Sequence, residues 1–197
     1  MINEEIIKIN GFHNTEKINA IDIIKNNFIP EHRRTHYLGQ GTYFFDDLEL
    51  AMENKNMLSD SDNMVIISTE IEVPYIHYLN LDNRINQTKF RIYCNEVNAI
   101  LGKEGLELLY KPNEGDDKKI DKKIDKIIIF RCYCLDLYKT ENNYYVITKT
   151  FAKDNPSYGV KINNFDFFGF PYLEKYICVS DNSFIKSKRI VEQEWFI

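Results

Sequence analysis

The 197-residue sequence lacks an apolar run able to cross a bilayer. Runs such as Ile127-Ile128-Ile129-Phe130, which none exceeds, fall far short of the roughly 20 residues a spanning helix needs. The N-terminus, Met1-Ile2-Asn3-Glu4-Glu5, has neither the basic stretch nor the apolar core of a secretory signal, so a cytoplasmic location is expected and no membrane partner. Cysteine is sparse. Cys94, Cys132, Cys134 and Cys178 form no C-x-x-C pair and have no nearby histidine tetrad. They read as small core residues and not as a disulfide frame or a zinc site, and no metal is expected. Basic charge is also short: 25 Lys and Arg stand against 30 Asp and Glu, a net charge of −5. That balance weighs against a general nucleic-acid coat while leaving room for a local basic patch. No Gly-, Ser- or Pro-rich linker and no internal repeat divides the chain, so one α+β domain over residues 1–197 is expected.

What is present is globular: 44% of residues are hydrophobic and 28% charged. A domain of this size buries about 70% of the surface its unfolded chain exposes, so it needs no covalent staple. The richness in Ile, Lys and Asn is of the kind that AT-rich bacterial or phage genomes produce. Ile6 to Phe12 predicts a strand running into a turn at Gly11-Phe12-His13. Asn14 or Thr15 would cap a helix with Ile18, Ile21, Ile24 and Phe28 on its inner face, ended by Pro30. A glycine-broken turn, Leu38-Gly39-Gln40-Gly41, leads into an aromatic strand, and Asp46 or Asp47 would cap a short helix reaching about Met57. Met64 to Val73 is a β-branched strand stopped by Pro74. Helices are expected from about Gln87 to Lys103, with Phe90, Tyr93, Val97, Ile100 and Leu101 inward, and from about Lys118 to Tyr138, with Ile120, Ile124, Ile127 and Leu135 inward. The lysines of 118–126 alternate with aspartates around isoleucines, as on a solvated helix face. Asn113 to Asp117 is a loop, and strand-like stretches return at Tyr144–Thr150, Tyr176–Val179 and Phe184–Ile197.

The first quarter carries the chemistry. His13 followed closely by Thr15 offers two polar side chains suited to gripping a ribose diol. Gly39 and Gly41 let the backbone approach a flat ligand, and Tyr43 supplies a rigid ring face with a polar end. Each also has a structural reading: a satisfied histidine, a glycine turn, core aromatics at Tyr43-Phe44-Phe45. The third glycine of a Rossmann fingerprint is absent.

In their order, His13-Asn14-Thr15, an intervening helix, Gly39-Gln40-Gly41-Thr42-Tyr43-Phe44 and an acidic helix cap at Asp46-Asp47, the segment over residues 11–52 resembles the ADP-ribosyltransferase superfamily. The likeness is to its diphtheria-toxin-like and poly(ADP-ribose) polymerase-like branch with the H-G-[ST], G-x-G-x-Y-F and later Glu motifs. The resemblance implies a split β-sheet with a cleft for NAD as co-substrate. His13 and Thr15 would hold the adenosine ribose, the backbone at Asn14 the carboxamide, and Tyr43 the nicotinamide ring. Gly39, Gly41 and Phe44 would complete the NAD site, and Glu174, in Leu173-Glu174-Lys175-Tyr176-Ile177-Cys178, would be the third catalytic residue beside His13 and Tyr43. Glu192 and Glu194 are the other carboxylates considered.

The sequence departs from the pattern in three places. Asn14 replaces the usual glycine, the helix after Tyr43 offers Met52 and Met57 but no second aromatic ring, and Glu174 stands one residue further from the tyrosine. A one-residue shift on a regular strand turns a side chain to the opposite face unless a bulge intervenes. Arg33, Arg34 and His36 lie in the loop between the motifs, where an arginine pair suits a phosphate. The activity implied is mono-ADP-ribosyl transfer from NAD to a macromolecular acceptor, protein or nucleic acid. It would suit a toxin with an antitoxin partner, an antiphage effector or a phage-encoded modifier. The alternatives are an NAD-dependent RNA 2′-phosphotransferase and a non-catalytic domain that binds NAD, ADP-ribose or a partner protein.

Overall fold

The computed structural model describes residues 5–30, 32–56, 60–110, 123–153, 161–162, 165–166 and 172–191. The elements in chain order are β1 (Ile6–Glu16), α1 (Lys17–Lys25), β2 (Thr42–Phe45), α2 (Leu48–Asn56), β3 (Met64–Pro74), β4 (Tyr78–Asn80), α3 (Arg84–Leu109), α4 (Lys123–Asn142), β5 (Val146–Lys153), β6 (Lys161–Ile162), β7 (Phe165–Asp166), β8 (Tyr172–Val179) and β9 (Ile185–Ile190). Seven strands form one mixed sheet in the order β4-β5-β8-β2-β1-β3-β9, and β6 pairs with β7 in a small ribbon. Only the β4–β5 pair is parallel; every other pair in the large sheet is antiparallel.

Alternation along the strands assigns each side chain to one of two cores. Val146, Ile177 and Val179 point to one face, where they meet Phe44, Ile67, Ile71, Val73 and Ala20 of α1. Ile147 and Cys178, one residue out of phase, point to the other, where Leu135 and Tyr138 of α4 and Phe90 and Tyr93 of α3 cover them. On that second face α2 lies against β1, its Ala51 carbonyl accepting a hydrogen bond from Asn14. The α+β class and the placement of most elements follow the residue pattern.

Several local expectations are corrected. There is no turn at His13. β1 continues to Glu16 because β3 offers an equally long partner, paired in register from Ile6↔Pro74 to Glu16↔Met64. Neither Asn14 nor Thr15 caps α1; Glu16 does, without a side-chain bond. Helix α1 ends at Lys25, well before Pro30, and its buried residue is Ala20, with Ile23 and Ile24 beside it, while Ile18 and Ile21 are exposed. The smallest side chain lets the helix approach the sheet closely, which outweighs the isoleucine spacing. Helix α3 starts at Arg84, where Asn83 Oδ1 accepts the Ile85 and Asn86 N–H groups, and runs past Lys103 through a break at Gly102. Ile100 of its expected inner stripe is exposed, as is Ile127 of α4, where Ile129, Cys132 and Leu135 are buried instead. Asp47 does cap α2, its Oδ1 accepting the Leu50 N–H at 3.0 Å. Cys132, Cys134 and Cys178 are buried and all four cysteines are free thiols. The loop at 113–117, the start of the second long helix at Lys118 and the residues after 191 lie outside the described residues.

Phe44 is central to the first core. It is 1% exposed, packs edge-on against Phe28 at 5.1 Å and lies under His13. Phe44 thus stands behind His13 and Phe28, which line the cavity described below. Phe44→Ala should therefore cost about 3–5 kcal/mol of folding stability, read from chemical denaturation, as large aromatic truncations in cores do.

Candidate functional site

Strands β1 and β2 are neighbours that pair at one position, Phe12↔Phe45. Past it β1 follows β3 and β2 follows β8, and a gap opens between them. His13 spans the gap. Its Nδ1–H donates to the Tyr43 carbonyl at 2.7 Å, replacing the ladder bond that the split removes. A carbonyl only accepts, so Nδ1 holds the proton and Nε2 of the neutral ring presents a lone pair. Burial among Phe28 and Phe44 pulls the imidazole pKa below its ordinary value, with the Tyr43 bond as a smaller opposing effect.

A cavity of about 420 Å³ lies at this split. That is within the range of small-molecule sites, about 300–1,000 Å³. His13 and Thr15, two residues apart on one face of β1, line it together with Thr42 of β2, Asn19 and Asp22 of α1, and His36 of the inter-motif loop. Asn14, between His13 and Thr15, points the other way: its Nδ2 donates to the Ala51 carbonyl at 2.8 Å and to Asn54 Oδ1 at 3.2 Å. The Asn14 side chain therefore stays out of the cavity.

Tyr43 and His13 issue from opposite faces of the sheet. His13 packs on Phe44, whereas Tyr43 joins the α4-side core with Leu38, Leu135 and Cys178. Both still border the one cavity, because the split opens between them. The phenol is fully engaged. It accepts the Leu38 N–H at 2.6 Å and donates to the Gly39 carbonyl at 2.7 Å, and burial raises its pKa far above the ordinary value. His36 stacks on the ring at 5.0 Å with the planes 18° apart.

Of the two glycines, Gly41 borders the cavity, and both are also required by chain packing. Gly39 has φ +80°, and a Cβ there would lie 2.6 Å from Asp136 Oδ1; at Gly41 it would lie 2.6 Å from Cys178 Sγ. The turn between them is clamped by α4. The Gln40 N–H donates to Asp136 Oδ1 at 2.7 Å, and the buried Lys139 ammonium donates to the Gln40 carbonyl while pairing with Asp136 Oδ1 at 2.7 Å.

Glu174 is not at the cavity. β8 pairs without a bulge with both β5 and β2, so Glu174, Tyr176 and Cys178 share the face of Tyr43, and Lys175 takes the alternate position beside Asp46. Glu174 is 7% exposed, and its Oε2 accepts the Tyr176 hydroxyl at 2.5 Å. By strand rise it sits about 13 Å along β8 from Cys178, the residue opposite Tyr43. Glu192 and Glu194 lie outside the described residues. Around Tyr176 gather Tyr37, Phe45 and Phe151, and the Arg131 guanidinium lies over Tyr37 and Phe151 at 5.6 and 5.7 Å with its Nε buried and unbonded. Arg131 and the cavity role of Thr42 carry no local sequence signal; only the strand register and the fold of α4 onto the sheet reveal them. His36 was visible as a loop residue, but its stacking on Tyr43 was not.

Among the described residues no group of His, Cys, Asp and Glu is arranged to hold a metal ion, and no helix is long and apolar enough to cross a membrane. Comparison of the chain with protein-family models, with curated proteins and with solved structures returned no match.

The lowered His13 pKa has a pH consequence. Below about pH 6.5 the unfolded chain takes up a proton that the folded imidazole resists, so stability falls as pH drops through that window. Histidine NMR should give His13 an Nδ1–H tautomer and a titration midpoint under 6.5. The fall in melting temperature from neutral to acid should shrink in His13→Asn, whose amide can still donate to Tyr43.

Proposed function

We propose that the cavity at the β1–β2 split binds NAD and that the chain is a mono-ADP-ribosyltransferase acting on a macromolecular acceptor. The observation that carries this reading is the His13 bridge: a neutral imidazole, fixed by the Tyr43 carbonyl, presents an acceptor nitrogen into a cavity shared with Thr15 and Tyr43. In this reading Nε2 accepts from a ribose hydroxyl and Thr15 contributes a second polar contact. The ring of Tyr43, with His36 over it, marks the end where a pyridine would lie. Bound there, NAD would lose nicotinamide through an oxocarbenium-like transition state, the chemistry of glycoside cleavage. Fixed dipoles and a carboxylate facing that developing charge would lower the barrier. Among the described residues, Asp22 is the carboxylate that borders the cavity. A toxin, antiphage or phage-encoded effector role goes with this activity.

A second reading, a domain of the same kind that binds NAD or ADP-ribose without turnover, draws on Glu174. Its side chain lies on the face away from His13, and Lys175 occupies the alternate strand position. An RNA 2′-phosphotransferase would need cations at the cleft, and among the described lining residues of the cavity there is no Lys or Arg.

Purified protein incubated with NAD should release nicotinamide and transfer label from NAD to a component of a cell lysate, and His13→Ala should abolish both with the fold retained. Calorimetric NAD binding without nicotinamide release decides for the second reading. No binding of NAD at all defeats both.

A further inference from the structure

Helix α3 carries a stripe that the fold leaves uncovered. Ile85, Lys89, Ile92, Glu96 and Ile100 follow one another at intervals of three or four residues. At 3.6 residues per turn they span an arc of about 80°. Phe90 and Tyr93 pack on Tyr138 of α4 and Val97 is buried, so the stripe runs along a flank that faces solvent. The three isoleucines are 65, 52 and 84% exposed, and Lys89 and Glu96 are exposed between them. Single exposed isoleucines are ordinary on a protein surface, whereas a contiguous row marks a contact face. The row ends before the break at Gly102, so it lies on one continuous stretch of helix.

The charges of α3 run against its own dipole. Residues 84–95 hold Arg84, Lys89 and Arg91 and no carboxylate, while residues 96–109 hold Glu96, Glu104 and Glu107 against Lys103 alone. A helix favours the reverse, acids at its start and bases at its end, and α3 has no acid in its first turn and no base in its last. Among the described residues, Lys89 and Glu96 take part in no ion pair and no side-chain hydrogen bond. The isolated chain gains nothing from this order. An antiparallel neighbour with the same sequence does, because its acidic half then lies along the basic half of the first.

We propose that this stripe is the interface of a homodimer in which two copies of α3 pack antiparallel about a two-fold axis at Ile92. The spacing is self-complementary in that arrangement. Ile85 meets Ile100 of the second copy, Lys89 meets its Glu96, and Ile92 lies against its own equivalent. Two-fold symmetry repeats the first two pairs on the other side of the axis. A parallel pair would instead set lysine on lysine and glutamate on glutamate. No described lining residue of the cavity belongs to α3, so the proposal does not rest on the NAD reading.

Sedimentation equilibrium of the full chain tests the proposal, with circular dichroism to show that each variant folds. Wild type at about 100 µM should sediment with the mass of two chains and dissociate on dilution. Ile92→Asp, which sets two carboxylates at the axis, should stay monomeric at the same concentration. Lys89→Glu and Glu96→Lys should each raise the dimer Kd at least about fivefold, since each turns two attractive pairs into like-charge pairs. The double variant Lys89→Glu/Glu96→Lys restores opposite charges across the axis and should return to within about twofold of wild type. A wild-type chain that is still monomeric at about 300 µM overturns the proposal and leaves the stripe to a different partner. So does a dimer that Ile92→Asp and the single charge reversals leave unchanged, or one that the double variant fails to restore.

Discussion

The hydrogen bond from His13 Nδ1 to the Tyr43 carbonyl stands where the ladder between β1 and β2 stops, and the arrangement around the cavity depends on it. A central sheet that parts between two neighbouring strands leaves main-chain groups without partners, and buried carbonyls of that kind are rarely left unbonded. One imidazole resolves the problem. It satisfies the Tyr43 carbonyl, fixes its own tautomer and turns its second nitrogen toward the open space. Phe28 and Phe44 hold the ring from the core side, so its position is set by packing as well as by the bond.

The second strand of the split is held in place from a distance. Helix α4 sends Asp136 and Lys139 onto the main chain of Gln40, and the flanking glycines admit these groups and Cys178 where any side chain would collide. Lys139 and Asp136 form a closely placed ion pair in which the ammonium is buried and also bonded to a carbonyl. Such a pair tends to contribute more to uniqueness of geometry than to net stability. Here both members bond the main chain of Gln40, in the turn that leads into β2, whose Thr42 and Tyr43 pair with β8.

How far the residue order could be read depends on which information is local. Capping by Asp47, the β-branched run of β3 and the glycine turn before Tyr43 depend on residues adjacent in sequence, and all are found as expected. The length of β1 was not legible, because it is set by the length of β3, more than fifty residues away. The inner face of α1 departs from the isoleucine spacing because Ala20, a residue with little hydrophobic signal, wins the contact with the sheet by being small. For the candidate site, His13 and Thr15 are legible as a polar pair, but on a turn; that they share one face of a strand follows only from the pairing of β1 with β3. The facing of Glu174 was not, since it turns on whether β8 carries a bulge, and the unbroken register with β2 and β5 settles that only in three dimensions. Thr42 was invisible as a cavity residue for the same reason.

The two margins of the large sheet differ in character but act alike. At one side β4 is three residues long; at the other β9 carries Lys186, Lys188 and Arg189 within six residues. A short margin gives an incoming chain little to template on, and a cationic one repels its own copy. Among the described residues, both margins thus carry features that disfavour edge-to-edge growth of the sheet, while Ile18, Ile21, Ile85 and Ile100 stand exposed on the helices.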